Sequence, residues 1–187
     1  MRGALFLDRD GVINVDTGYL HRAEDCHFVA GIFDLVRRAN EAGLPVFVVT
    51  NQAGIGRGYY SETQFLAFMD WMLARFAEHH APLTKVYYCP HHPTDAVGDY
   101  RRHCACRKPG PGMLLEACRE FAIDAAASTM IGNALSDMRA AEQAGIGRRI
   151  MLVEGTAPDL GVAGASGRYE VTRSLDAVGF AAAQSSD

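Results

Sequence analysis

No stretch of this sequence is apolar for long enough to span a membrane, and its start lacks the charged, apolar and small-residue succession of a secretory signal. A cytoplasmic location with no membrane partner is therefore expected. Positive charge is lacking too: the net charge of −4 argues against a nucleic-acid partner. No internal repeat or low-complexity block is present, so neither a repeat array nor a biased tail organises the chain. A disulfide framework is also missing. The cysteines, Cys26, Cys89, Cys104, Cys106 and Cys118, are five, an odd set, and reduced thiols that cluster read as metal ligands. What remains is the profile of one globular domain over 1–187, with 49% hydrophobic and 21% charged residues and enough length for a proper core. A monomer is expected.

The stretch 4–14 organises the rest. Residues 4–7 form a short apolar run suited to a buried strand, and it ends in Asp8 and Asp10 with Gly11 behind them. Side chains two apart in an extended chain share a side, so both carboxylates face one small volume past the strand's end. Close carboxylates repel, which calls for a cation or a shared proton between them. One suits a nucleophile and the other a general acid/base.

Strand and helix patterns alternate from there. A helix is predicted over 31–42, with Ile32, Leu35, Val36 and Ala39 on one face and Gly43 as its stop. A buried strand follows over 44–49. Ser61 and Gln64 form a capping box for a helix whose Phe65, Phe68, Met69, Met72, Leu73 and Phe76 face the core. Strands are predicted over 84–88, 128–131, 149–153 and 169–171. Pro111 opens a further helix, and another runs through Asp137 to Ala144 before Gly145. Residues 154–168 read as a surface loop, the end of the chain as a helix to about Ala183, and 184–187 as frayed. Such alternation implies an α/β fold, a Rossmann-like parallel sheet with helices on both faces, and ligands beyond the carboxyl ends of its strands.

Polar groups converge on that edge. Thr50 and Asn51 follow the second strand and suit a phosphate oxygen. Arg107 offers a planar fork and Lys108 a point charge just before a helix. Gly132-Asn133 follows another strand, with Asp137 four residues on. Asp16, Thr17, Gly18 and Tyr19 form a turn that overhangs the site, and Arg57 adds a nearby cation. Cys89-x-His91 and Cys104-x-Cys106 are chelating pairs separated by twelve residues, matched to a tetrahedral structural zinc site in a loop over 89–107. His92 and His103 are competing ligands.

Asp-x-Asp-Gly-Val after a strand, Thr50-Asn51, Arg107-Lys108 and Gly132-Asn133 together resemble the four motifs of the haloacid dehalogenase superfamily. The Cys-x-His and Cys-x-Cys pairs, ending in Cys-Arg-Lys-Pro, are similar to its zinc-containing branch, which holds the heptose-bisphosphate phosphatases and the histidinol-phosphate phosphatases. Ile-Asn-Val-Asp-x-Gly-Tyr, Thr-Asn-Gln-x-Gly-Ile-x-Arg-Gly and Tyr-Tyr-Cys-Pro-His-His-Pro favour the heptose side. The resemblance covers roughly 4–153 and implies no separate cap domain. It implies a sugar bisphosphate substrate in nucleotide-heptose biosynthesis, with Asp8 as nucleophile forming an aspartyl-phosphate and Asp10 as acid and base. Thr50 and Lys108 would stabilise the transferring group. Magnesium would be held by Asp8, Asp10 and Asn133. Asp16 to Tyr19, Thr50, Asn51, Gln52, Ala53 and Arg107 would contact substrate.

Asn133 departs from the motif, which places an aspartate there. It admits another reading, a catalytically impaired sugar-phosphate-binding protein. Histidinol-phosphate hydrolysis is the enzyme alternative. A zinc-based nucleic-acid module stands third, against the acidic charge.

Overall fold

A computed structural model describes residues 2–153 and 169–180. In chain order its elements are β1 (Leu5–Leu7), α1 (Ile32–Glu41), β2 (Val46–Asn51), α2 (Ala53–Gly56), α3 (Glu62–Glu78), β3 (Lys85–Cys89), α4 (Gly112–Glu120), β4 (Thr129–Gly132), α5 (Leu135–Gln143), β5 (Arg148–Leu152) and β6 (Glu170–Thr172). The strands pair in parallel in the order β3-β2-β1-β4-β5-β6. β1 is central, and the Asp8 amide extends its pairing by donating to the Ile131 carbonyl at 2.9 Å.

Strand alternation divides the core in two. Leu5, Leu7, Val46 and Val48 pack with α1 and α3 on one face, and Phe6, Phe47, Val49 and Met130 pack with α4 and α5 on the other. α3 starts at the predicted capping box: the Gln64 amide donates to Ser61 Oγ at 3.1 Å, and Gln64 Oε1 accepts from the Ser61 amide at 2.8 Å. Its Phe65, Phe68, Met69, Met72 and Phe76 are buried, each contributing roughly 1.5–3 kcal/mol of transfer free energy. α5 ends at Gly145, whose φ of +76° a residue with a Cβ adopts at a cost. No helix among the described residues is long and apolar enough to cross a membrane.

Two expectations shift. The second strand begins at Val46, later than predicted, because the Leu44 amide still serves the end of α1 through the Ala39 carbonyl; it runs on through Thr50 and Asn51, which pair with Tyr88 and Cys89. The terminal helix is replaced, as far as Phe180, by one short turn at Leu175–Ala177, opened by Ser174 Oγ accepting from the Asp176 amide at 3.2 Å. The loop predicted over 154–168 and the frayed end over 184–187 lie outside the described residues.

Candidate active site

Three strands end in polar residues at one edge of the sheet, around a cavity of about 510 Å³. Asp8 sits at its floor. Its Oδ1 accepts from the Arg9 amide at 2.7 Å and lies 2.9 Å from Lys108 Nζ. Lys108 is buried between two carboxylates: Asp137 Oδ1 is 2.6 Å away, and the Val49 carbonyl accepts from the same ammonium at 2.8 Å. Burial pushes the Asp8 carboxyl above its usual range; the Lys108 ammonium opposes that shift, and Asp137 adds to it. Burial also works against the charged Lys108, but Asp8 and Asp137 outweigh it and raise its pKa. One ammonium proton goes to the Val49 carbonyl and two carboxylates stand within ion-pair distance, so protein oxygens surround the charge of Lys108.

Asn51 fixes this lysine. Its Nδ2 donates to the Lys108 carbonyl and its Oδ1 accepts from the Lys108 amide, both at 3.0 Å. The strand end and the loop before α4 are thereby pinned together. Asp137 is pinned as well, because its Oδ2 accepts from the Asn133 and Ala134 amides at 3.2 and 3.0 Å at the start of α5.

Asp10 is held from another side. Arg9 Nη2 donates to both of its oxygens at 2.8 and 2.9 Å, Arg9 Nε to Oδ1 at 3.1 Å and Asn14 Nδ2 to Oδ1 at 3.0 Å. Gln52 Nε2 donates to Oδ2 at 3.2 Å. Arg9 has no solvent exposure, and its guanidinium lies between the Phe65 and Phe68 rings, 5.7 and 5.4 Å from their centroids. The alternation that turns Asp8 and Asp10 to the cavity turns Arg9 into the α3 layer. The sequence reading gave Arg9 no role, although that alternation was the signal.

Of the predicted residues, Asp16, Gly18, Tyr19, Thr50, Asn51, Gln52, Ala53, Arg57, Arg107 and Asn133 line the cavity with Asp8, Asp10 and Lys108. Thr17 does not. The Gly18 amide donates to Asp16 Oδ1 at 2.9 Å, and this tight turn leaves Thr17 exposed at its apex. Tyr60 and Ser136 line the cavity without having been predicted. At the rim, Arg57 donates to the Tyr19 hydroxyl and pairs with Asp95 at 3.2 Å, and Arg107 Nη1 donates to the His91 carbonyl at 3.1 Å. Asn133 presses on motif one: a Cβ on Gly11 would lie 1.9 Å from its Nδ2. Asp8, Asp10 and Asn133 share the cavity lining, and their oxygens are of the type that a hard cation takes.

Cys89, His91, Cys104 and Cys106 bring one ligand atom each within 4.8 Å of one another. The sulfurs are 3.0 to 3.3 Å apart, and His91 Nδ1 faces two of them at 3.5 and 3.7 Å. This donor set fits a closed tetrahedral site. His92 is turned away, its Nδ1 accepting from the Asp95 amide at 2.9 Å, and His103 lies outside the cluster. Cys106 stands two residues before Lys108, so whatever occupies the cluster also tethers the lysine.

The HAD-hydrolase-like family model matches residues 105–176. The D-glycero-beta-D-manno-heptose-1,7-bisphosphate 7-phosphatase of Yersinia pestis is 45% identical over 152 residues, 81% of each chain. That of Escherichia coli strain K12 is 46% identical over 152 residues, covering 81% of this chain and 80% of its own. Among solved structures, D,D-heptose 1,7-bisphosphate phosphatase from B. bronchiseptica, complexed with magnesium and phosphate, superimposes with a TM-score of 0.79 at 29% identity over 94% of both chains. A HAD-like phosphatase from Mesorhizobium loti gives 0.78 at 38% identity, over 84% of this chain and 76% of that one. With its paired aspartates at a strand end, its buried lysine and its Cys/His cluster on a parallel sheet, this chain belongs to the heptose-1,7-bisphosphate 7-phosphatase family of haloacid dehalogenase-like hydrolases.

Proposed function

We propose that this chain removes the 7-phosphate from D-glycero-D-manno-heptose 1,7-bisphosphate, leaving the 1-phosphate. The observation that carries the reading is the buried Asp8–Lys108–Asp137 cluster at the floor of a cavity whose rim bears Arg57 and Arg107. A reacting phosphate fits the floor, and a second, remote phosphate fits the guanidinium groups. Histidinol phosphate carries a cation where that second anion would sit, so it suits this rim less well. Phosphate release from both heptose anomers and from histidinol phosphate tests the reading. Preference for histidinol phosphate in kcat/KM would overturn it.

Asp8 attacks phosphorus in line with the sugar oxygen, and an aspartyl-phosphate forms. Lys108 and the Thr50 hydroxyl lie where charge gathers on the transferring group, so catalysis is chiefly positioning and electrostatics. Asp10 gives its proton to the departing sugar oxygen in the first half-reaction and, ionised by that step, takes one from the attacking water in the second. Magnesium would be held by Asp8, the Asp10 carbonyl and Asn133, and when bound supplies positive charge beside the phosphoryl oxygens. Zinc would fill the Cys89, His91, Cys104 and Cys106 cluster and hold residues 89–107 against the site. Reduced thiols of this kind fit a cytoplasmic setting.

Freshly prepared reduced protein is expected to carry one zinc per chain by elemental analysis. A strong chelator should lower thermal stability and raise KM through Arg107. A metal-free preparation of undiminished stability would refute the assignment.

Asn133→Asp is expected to tighten magnesium binding about ten- to hundredfold, read by calorimetric titration. A unit charge pair near 4 Å is worth about 4 kcal/mol at an effective dielectric of 20. Desolvation of the new carboxylate and its repulsion from Asp8 leave a net gain of roughly 1–3 kcal/mol, which is that affinity range. Equal or weaker binding would mean that Asn133 is not a missing charge.

A further inference from the structure

We infer that Tyr60 is a positioning residue that acts through Gln52 to aim the Thr50 hydroxyl proton at the phosphoryl group. The inference rests on the phosphatase reading of the cavity and goes beyond it in assigning a proton direction to the site.

Arg9 and Asn14 hold the Asp10 carboxyl from one side, and from the other Gln52 Nε2 donates to its Oδ2 at 3.2 Å. The same Nε2 donates to Thr50 Oγ1 at 2.8 Å. The other end of the amide, Oε1, then needs a donor, and the Tyr60 hydroxyl lies 2.6 Å away. Each member of the chain has one permitted direction: Tyr60 to Gln52, and Gln52 to Asp10 and Thr50. Thr50 Oγ1 is already an acceptor, and among the described residues no acceptor takes its proton, so that proton is free for the cavity, where a phosphoryl oxygen would sit. With the amide turned over, Gln52 Oε1 would face the Asp10 carboxylate and draw the Thr50 proton away from the ligand.

The scaffold holds Tyr60 for this purpose. Its side chain is 4% exposed, and Gln52 is 2% exposed, so water competes poorly for either group. A Cβ on Gly54 would fall 2.4 Å from the Tyr60 ring, so only a glycine lets α2 lie this close to it. On its other side the ring stacks on His21, with centroids 4.6 Å apart. Phenylalanine would fill the same space and lose only the donor.

The test is a double-mutant cycle on whichever phosphomonoester the wild type hydrolyses, heptose bisphosphate or p-nitrophenyl phosphate. Tyr60→Phe should lower kcat about tenfold, leave KM within about twofold and shift Tm by no more than a few degrees. In a Gln52→Leu background it should cost nothing further, because the effect travels through the amide. A purely packing role would leave the two effects additive, and additivity would overturn the inference. So would Tyr60→Phe with wild-type kcat. Should Tyr60→Phe fail to fold, Gln52→Glu keeps an acceptor for Tyr60 and removes the donor to Asp10 and Thr50. It should lose at least as much kcat as Gln52→Leu, and a smaller loss overturns the inference. Proton exchange of the Gln52 side-chain amide by NMR needs no substrate, so it separates this inference from the choice of substrate. Slow exchange in the wild type and fast exchange in Tyr60→Phe is expected, and equal rates would contradict it.

Discussion

Asp8→Asn is expected to remove turnover by roughly 10⁴-fold or more, the scale on which loss of a nucleophile acts, while the folded protein is as stable as the wild type or more so. The second half of this expectation comes from charge counting. Asp8 and Asp137 share the single ammonium of Lys108, at 2.9 and 2.6 Å, in a buried place. The cluster therefore holds one negative charge too many, and burial with Asp137 already pushes Asp8 away from its ionised form. Asparagine keeps the shape, still accepts from the Arg9 amide, and leaves Lys108 neutralised by Asp137 alone. Activity on a purified sample and a thermal melt decide both halves. More than a few per cent of residual turnover, or an unfolded variant, would remove Asp8 from its assigned role.

Lys108→Met should have the opposite effect on the fold. It leaves two buried carboxylates facing each other with no cation, at a cost of about 3–5 kcal/mol by the general behaviour of broken buried pairs. Turnover should fall about 10²- to 10³-fold at least, since a fixed charge beside the transferring group is lost. The decisive sample is the double variant. Adding Asp8→Asn to Lys108→Met removes one of the two repelling charges, so much of the lost stability should return while activity does not. Urea denaturation of the four proteins reads this. A double variant no more stable than Lys108→Met would show that the cluster is not held by charge balance.

Much of this arrangement was legible in the sequence, because strand and helix periods here are strong and the chemistry sits at strand ends. The alternation around Asp8 and Asp10, the capping box at Ser61 and the cysteine spacing all follow from local rules that the fold does not override. What escaped was what a side chain does once it is surrounded. Asn51 read as a phosphate ligand and Gln52 as a substrate contact; what the sequence did not report is that Asn51 also grips the Lys108 peptide and that Gln52 bridges Asp10, Thr50 and Tyr60. These partners are far apart in sequence, and no periodicity reports them. Arg9, given no role from the sequence, escaped for a related reason: its partners are Asp10 beside it and two phenylalanines of a helix some sixty residues on. Thr17 came with the stretch Asp16 to Tyr19 through the family resemblance, and the turn closed between Asp16 and Gly18 leaves it exposed and off the cavity lining.

The central place of β1 has a consequence on the ribosome. The strand that leads into Asp8 is made before both of its partners, and the one on one side, β2, follows soon after it. Its partner on the other side, β4, is the segment whose Ile131 carbonyl receives the Asp8 amide, and it emerges about 120 residues later, a delay on the order of ten seconds at about 5–20 residues per second. For that interval Leu5, Phe6 and Leu7 have one open strand edge and an uncovered apolar face. A slow codon run before residue 129 would lengthen that exposure.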